Sequence, residues 1–197
     1  MPAYQPGDLI GFSSGDWLGV GINVSTLGWP LGPPCWRGLT HVGIVADIYF
    51  GVPMLWESTT LCEWPCAECG HSHSGLQSHV LQTRIRTYRG TVWRYPLHRP
   101  LDRLGKKLLR DHAAKYHGAA YDPFGAAGSR TLCLGWLLRQ YASEELSALF
   151  CSEYAADALK VAEVWSPPNA NASAWNPNRL ARTLVATGIV AKPRRLK

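Results

Sequence analysis

The sequence has no run of about twenty apolar residues, the length that an α-helix needs to cross a bilayer, so no membrane span is predicted. The segment Met1–Asp8 lacks the basic and then apolar regions of a signal peptide. We therefore expect a cytoplasmic product, or one that is released by another route. Internal repeats and long linkers are also absent, and 197 residues suffice to bury the core of one domain that spans residues 1–197.

The sequence also lacks the motifs of nucleic-acid binding proteins: no segment resembles a zinc finger, a helix-turn-helix or a base-stacking motif. The net charge of +6 is modest, and the basic residues are scattered apart from small clusters at residues 84–89 and 192–197. Such a surface attracts any anionic partner non-specifically. A nucleic acid is therefore not the expected partner.

Six cysteines are enough for three disulfides, but the missing signal peptide favours reduced thiols. Three of the six lie in a segment rich in cysteine and histidine, which we call the Cys/His-rich loop (residues 61–79). Free thiols beside imidazoles point either to a metal site or to a mobile loop.

The spacing of Cys66 and Cys69 in this loop lets both thiolates reach one tetrahedral zinc. Cys62 together with His71 or His73 could complete the ligand shell. All these ligands come from one loop, and no second distant pair is present to close a cross-braced site. A structural zinc and a metal-free loop both stay open, and catalysis is expected to need no metal.

Cys151 follows Phe150 and precedes an amphipathic pattern over residues 152–162, which predicts a helix that begins at the thiol. Unpaired N–H groups and the helix dipole at such a position stabilise a thiolate and lower its pKa from about 8.5. The position therefore favours a nucleophile. The alternative is a buried, inert cysteine, since free cysteine is among the most buried side chains.

A base for this thiol is predicted in the apolar, β-branched run Thr40–Asp47, which is typical of a buried strand and carries His41 near its start. A second run, Val52–Thr59, predicts the neighbouring strand. If the two strands pair as a hairpin, Glu57 faces the same way as His41 and can orient the imidazole. Nucleophile, base and orienting group form the general arrangement for covalent catalysis.

Two other histidines, His112 and His117, are rival bases. They lie in or directly after a helical pattern over residues 101–116, whose charged residues include Lys106, Lys107, Arg110 and Asp111. These charged neighbours favour a solvated helix face for both histidines.

The remaining patterns indicate an α+β fold, with a small antiparallel sheet packed against helices. Residues 77–88 are expected to be partly helical, and the alternation over residues 90–97 predicts a strand. Leucines at helical spacing after Leu101 predict a helix that ends near Gly118. Asn176 followed by Pro177 predicts the N-cap and first residue of a terminal helix.

The order of the motifs resembles that of the circularly permuted NlpC-type, papain-like cysteine hydrolases, which include the YiiX-like proteins. The resemblance covers most of the chain, and its motifs are Pro6–Ile10, Thr40–Ile44, Trp56–Ser58 and Phe150–Glu153. In the unpermuted relatives the cysteine helix precedes the histidine strand, whereas here the histidine strand comes first, as in permuted members.

This resemblance implies a papain-like fold with Cys151 as nucleophile, His41 as base and Glu57 as the polar third member. It also implies an oxyanion-binding role for Tyr121, since Gly118–Asp122 is similar to a Gly-x-x-Tyr turn that lies before the cysteine in NlpC-type enzymes. The implied activity is hydrolysis of an amide through an acyl-enzyme on Cys151. Peptides, peptidoglycan-like material and acyl amides or esters are the implied substrates.

Two other functions stay open. The lecithin–retinol acyltransferase-like proteins, which act as lipid-directed thioesterases or acyltransferases, share a similar first strand and the order of histidine before cysteine. They usually place asparagine before the cysteine and a second histidine as third member, where this chain has Phe150 and Glu57. The other alternative is a non-catalytic, zinc-stabilised binding module in which Cys151 belongs to the core.

Overall fold

A six-stranded antiparallel sheet organises the residues that the computed structural model describes, which are 3–14, 38–60, 63–121, 148–166 and 175–197. Its strands are β1 (Leu9–Ser13), β2 (His41–Tyr49), β3 (Val52–Thr59), β4 (Gly75–Val80), β5 (Thr91–Tyr95) and β8 (Arg194–Arg195). They lie in the order β4-β3-β2-β1-β5-β8. A separate short parallel pair joins β6 (Ala120–Tyr121) to β7 (Ala148–Leu149).

Four helices lie within the described ranges: α1 (Leu81–Thr87), α2 (Arg103–Lys115), α3 (Cys151–Val161) and α4 (Pro177–Ala186). The α+β class and the antiparallel sheet with packed helices are confirmed. The predicted start of the last helix is confirmed as well, because the Asn176 side chain accepts a hydrogen bond from Arg179 N at 2.8 Å. None of the described helices is long and apolar enough to cross a membrane.

Strands β2 and β3 form the predicted hairpin, which closes through a tight turn at Phe50 and Gly51. Both turn residues have positive φ angles, 48° and 83°, as a two-residue turn of the hairpin type requires. The hairpin fixes the register of the sheet at its centre, with Ile44 opposite Trp56.

The sheet is buried on both faces. On one face Val42, Ile44 and Trp56 pack in the main core together with Tyr154 of α3. On the other face Val45 and Leu55 pack with Leu81 of α1. Because side chains alternate along a strand, Glu57 points to the same face as Leu55, the face that α1 covers.

Candidate active site

Cys151 is the first residue of α3, as the sequence pattern predicts. The N-cap is Phe150, and Glu153 reaches back so that its Oε2 lies 3.4 Å from Phe150 N. Ser152 Oγ donates a 2.6 Å hydrogen bond to the carbonyl oxygen of Trp175, just before α4. The start of α3 is therefore held by the side chains of the two residues that follow the thiol.

His41 is the first residue of β2 and lies between a carboxylate and the thiol. Its Nε2 is 2.6 Å from Glu57 Oε2. The imidazole also forms a hydrogen bond with the Cys151 side chain. The structure thus brings together the three residues that the sequence nominates as nucleophile, base and orienting group.

Glu57 is fully buried and binds two further side chains besides His41. Arg84 Nε donates to Oε1 at 2.6 Å, Arg84 Nη2 lies 3.3 Å from Oε2, and His79 Nδ1 lies 3.0 Å from Oε1. The guanidinium of Arg84 also stacks over the rings of Phe12 and Tyr88. The carboxylate is therefore held in one orientation by groups from β2, β4 and α1.

Neither His79 nor Arg84 was predicted from the sequence as part of this site. A buried carboxylate requires a cation or several donors, so Glu57 in an apolar strand was itself a signal that a partner existed. Which residue would supply it depends on the packing of α1 against the sheet, which no local pattern shows.

Charge interactions shift the pKa of both members of the Cys151–His41 pair. Burial alone would lower the pKa of His41, but Cys151 and Glu57 beside it raise that pKa to about 9. Burial would raise the pKa of Cys151, but His41 and the backbone N–H groups of Val42 and Ser152 hold it below its ordinary value. Both shifts favour the thiolate–imidazolium form of the pair over the neutral form.

Glu57 stays ionised in this site despite its burial. Desolvation would raise its pKa, but Arg84, His41 and His79 together hold the pKa well below the ordinary value for a glutamate. The negative charge beside His41 in turn favours the imidazolium form.

Tyr121, nominated for oxyanion binding, lies on β6 and pairs in register with Leu149 of β7. This pairing places the backbone of Tyr121 beside a residue two positions before Cys151. Its role in oxyanion binding stays a prediction.

In comparisons with known proteins, the chain matches no family model, no curated protein and no solved structure.

Two hydrogen bonds between Asn178 of α4 and Leu39, which we call the brace, fix the backbone just before His41. Asn178 Oδ1 accepts from Leu39 N at 2.7 Å, and Asn178 Nδ2 donates to Leu39 O at 3.0 Å. On the other side, Thr40 N donates to Phe12 O of β1 at 2.8 Å. The backbone that leads into β2 is therefore held by hydrogen bonds from α4 and from β1. These bonds fix the position of the His41 backbone.

We expect Asn178→Ala to destabilise the protein by about 2 kcal/mol, because it leaves the buried N–H and C=O of Leu39 without partners. Urea unfolding followed by circular dichroism measures this loss. Because the brace positions His41, alkylation of Cys151 should also slow at neutral pH. Asn178→Asp retains an acceptor for Leu39 N, so its free energy of unfolding should lie between those of the native protein and Asn178→Ala. An Asn178→Ala protein with native stability would contradict the brace.

The expectation of a solvated face is wrong for His112. This side chain is 6% exposed and stacks on Tyr154 of α3, with ring centroids 5.7 Å apart. Burial, followed by the charge of Lys115, lowers its pKa to about 4. His112 therefore packs between α2 and α3, on the core side of α2.

A second cluster of potential ligands joins the Cys/His-rich loop to the end of α2. The side-chain ligand atoms of Cys66, Cys69, His73 and His117 all lie within 4.8 Å of one another, so this cluster could hold a metal ion. Burial would raise the pKa of Cys66, but nearby backbone N–H groups, that of Ser78 foremost, and the His117 side chain lower it to about 6.

This cluster differs from the ligand set predicted for zinc. His71 is not part of it; its backbone carbonyl instead accepts a hydrogen bond from Cys66 N at 3.0 Å, which turns the loop so that His73 reaches the thiols. Cys62 lies outside the described residues. The potential ligands also come from two segments rather than from one loop, because His117 follows α2.

Proposed function

We propose that the protein is a cysteine hydrolase that cleaves an amide bond through an acyl-enzyme on Cys151. The observation that carries the proposal is the hydrogen-bonded arrangement of the Cys151, His41 and Glu57 side chains. The thiol of this arrangement lies at the start of a helix, and Arg84 fixes its carboxylate. This arrangement meets the requirements for an activated nucleophile: an adjacent base and a third group that orients the base.

The first half of the reaction forms the acyl-enzyme. The Cys151 thiolate attacks the carbonyl carbon of the amide, so a C–S bond forms and the carbonyl oxygen gains negative charge. Backbone N–H groups at the start of α3, and Tyr121 as the resemblance implies, would stabilise that oxyanion. His41 then gives its proton to the leaving nitrogen as the C–N bond breaks.

The second half of the reaction releases the acid. His41, now neutral, takes a proton from water, whose oxygen attacks the thioester carbonyl. The C–S bond breaks, the thiolate leaves, and the thiolate–imidazolium pair is restored. Glu57 remains ionised throughout and holds the imidazole in the orientation that serves both steps.

The proposal is tested by the pH dependence of iodoacetamide labelling, read at each cysteine by peptide mass spectrometry. Cys151 should label below about pH 7, where an ordinary thiol of pKa about 8.5 is mostly protonated. His41→Ala removes the imidazolium that lowers the pKa of Cys151, so labelling should then require a pH above about 8.5.

Cys69 is the matched control when the labelling is carried out on metal-free protein, since it is exposed and does not belong to the Cys151–His41–Glu57 arrangement. Its labelling should follow the same pH curve in the native protein and in His41→Ala. The proposal fails if Cys151 labels only near the pH of an ordinary thiol, or if His41→Ala leaves its curve unchanged.

The substrate class is tested with two reporter panels, fluorogenic peptide amides and acyl thioesters. Intact-protein mass spectrometry after rapid acid quenching detects the acyl group on Cys151. Amide turnover supports the proposed hydrolase, whereas turnover confined to long-chain thioesters would replace it with a lipid-directed activity.

A further inference from the structure

We propose that Cys66, Cys69, His73 and His117 bind one zinc ion in a closed structural site. Two thiolates and two imidazoles are a preferred ligand set for zinc, and four protein ligands leave no position open for water or substrate. None of the four belongs to the Cys151–His41–Glu57 arrangement, so this site is independent of the proposed hydrolase.

The distances within the cluster fit a tetrahedral ion. Zn–S bonds of about 2.3 Å and Zn–N bonds of about 2.0–2.1 Å place neighbouring ligand atoms about 3.3–3.8 Å apart. Cys66 Sγ and His117 Nε2 are already 3.3 Å apart, and no pair of ligand atoms is separated by more than 4.8 Å. Small side-chain rotations are therefore enough to close the shell.

Hydrogen bonds around the cluster prepare the ligands for a metal. Ser78 N donates to Cys66 Sγ at 3.4 Å, a contact that favours thiolate over thiol. His73 Nδ1 lies 3.2 Å from Ser74 O, so a proton on Nδ1 leaves Nε2 free as the ligand atom. A second ring nitrogen bound to a carbonyl is the usual support of a metal-ligating histidine.

The backbone already holds both ligand-bearing segments against β4. Ala67, in the part of the Cys/His-rich loop that precedes β4, donates its backbone N–H to Ser78 O of β4 at 2.8 Å. Gly118 N donates to Leu76 O at 2.9 Å, on the side of the segment that follows α2. A zinc ion at this point would join the two segments directly and so fasten the loop to the end of α2.

The first test is the metal content of the protein, measured by mass spectrometry after dialysis against metal-free buffer. We expect one zinc per chain in the native protein. Removal of one ligand, as in Cys69→Ala or His117→Ala, should weaken zinc binding by more than about 100-fold, because the loss of outer-shell partners alone costs about 10–100-fold. His71→Ala is the matched control from the same loop and should retain the ion.

Two measurements on the native chain keep the test independent of whether a variant folds. Cobalt(II) added to metal-free protein should give the intense visible bands of a tetrahedral ion together with thiolate-to-cobalt charge transfer. Zinc should protect Cys66 and Cys69, but not Cys151, from iodoacetamide. The proposal is overturned by absence of zinc with an octahedral cobalt spectrum, or by a loss of metal in His71→Ala with none in His117→Ala.

Discussion

Replacing Glu57 by glutamine is expected to lower the free energy of unfolding by about 3 kcal/mol, the low end of the range for removing one partner of a buried ion pair. The side chain of Glu57 is 0% exposed and that of Arg84 only 12%. Glutamine keeps the volume and one acceptor oxygen, but the guanidinium loses its counter-charge. Urea unfolding of the two proteins, followed by circular dichroism, measures the difference.

The effect of Glu57→Gln should depend on pH in a defined direction. Because the folded-state pKa of Glu57 is lowered, its contribution to stability is present above the pKa of an unfolded glutamate, about 4.3. It is lost as the pH falls through the lower pKa of the folded state. The difference between the two proteins should therefore shrink in acid.

A double-mutant cycle separates the ion pair from a general loss of packing. Arg84→Met leaves Glu57 buried without its main cation, and the double variant should cost less than the sum of the two single changes. Asp111→Asn, which breaks the exposed pair with Lys107 on α2, is the control and should change stability by less than about 0.5 kcal/mol. Strict additivity at Glu57 and Arg84 would contradict the buried network.

Replacing Cys151 by serine is expected to lower kcat on the amide reporters by about 10⁴-fold or more, because residues that act as one catalytic unit lose most of the chemistry together. A serine hydroxyl is not ionised near neutral pH, so the imidazolium of His41 has no thiolate beside it. The measurement is steady-state turnover, together with a search for the acyl-enzyme by intact mass.

If Cys151 and His41 act as one catalytic unit, the effects of their single replacements on turnover should not add in the double variant. Cys151→Ser combined with His41→Ala should be scarcely slower than Cys151→Ser alone, since either change disables the pair. His98→Ala, which removes an exposed imidazole outside the site, should leave turnover unchanged. A Cys151→Ser protein with native turnover would exclude the proposed mechanism, whereas a native protein with no turnover on any reporter would favour the binding-module alternative.

The parts of the fold that could be predicted from the sequence have local causes. The strand pairing of β2 and β3 follows from two short apolar runs joined by a tight turn, and the start of α4 follows from an asparagine cap before Pro177. The start of α3 at Cys151 was predictable in the same way. Each of these features is determined by neighbouring residues.

The features of the structure that were not predicted from the sequence depend on contacts between residues that are distant in the chain. Arg84 reaches Glu57 because α1 covers one face of the sheet, and His117 reaches the thiols of the Cys/His-rich loop because the segment after α2 pairs with β4. His112 was misread because its lysine and arginine neighbours suggested a solvated surface, whereas α3 packs over it. Burial of this kind follows from tertiary packing alone.

The brace between Asn178 and Leu39 joins residues 139 positions apart. Closing a chain segment of that length costs about 4 kcal/mol of loop entropy, so contacts of this kind form late. During synthesis His41 and Glu57 are made before Cys151, and the residues of α4 that complete the brace are made later still. We therefore expect an unfinished chain without α4 to carry an ordinary thiol at Cys151, and the activation proposed for that thiol to arise only in the folded protein.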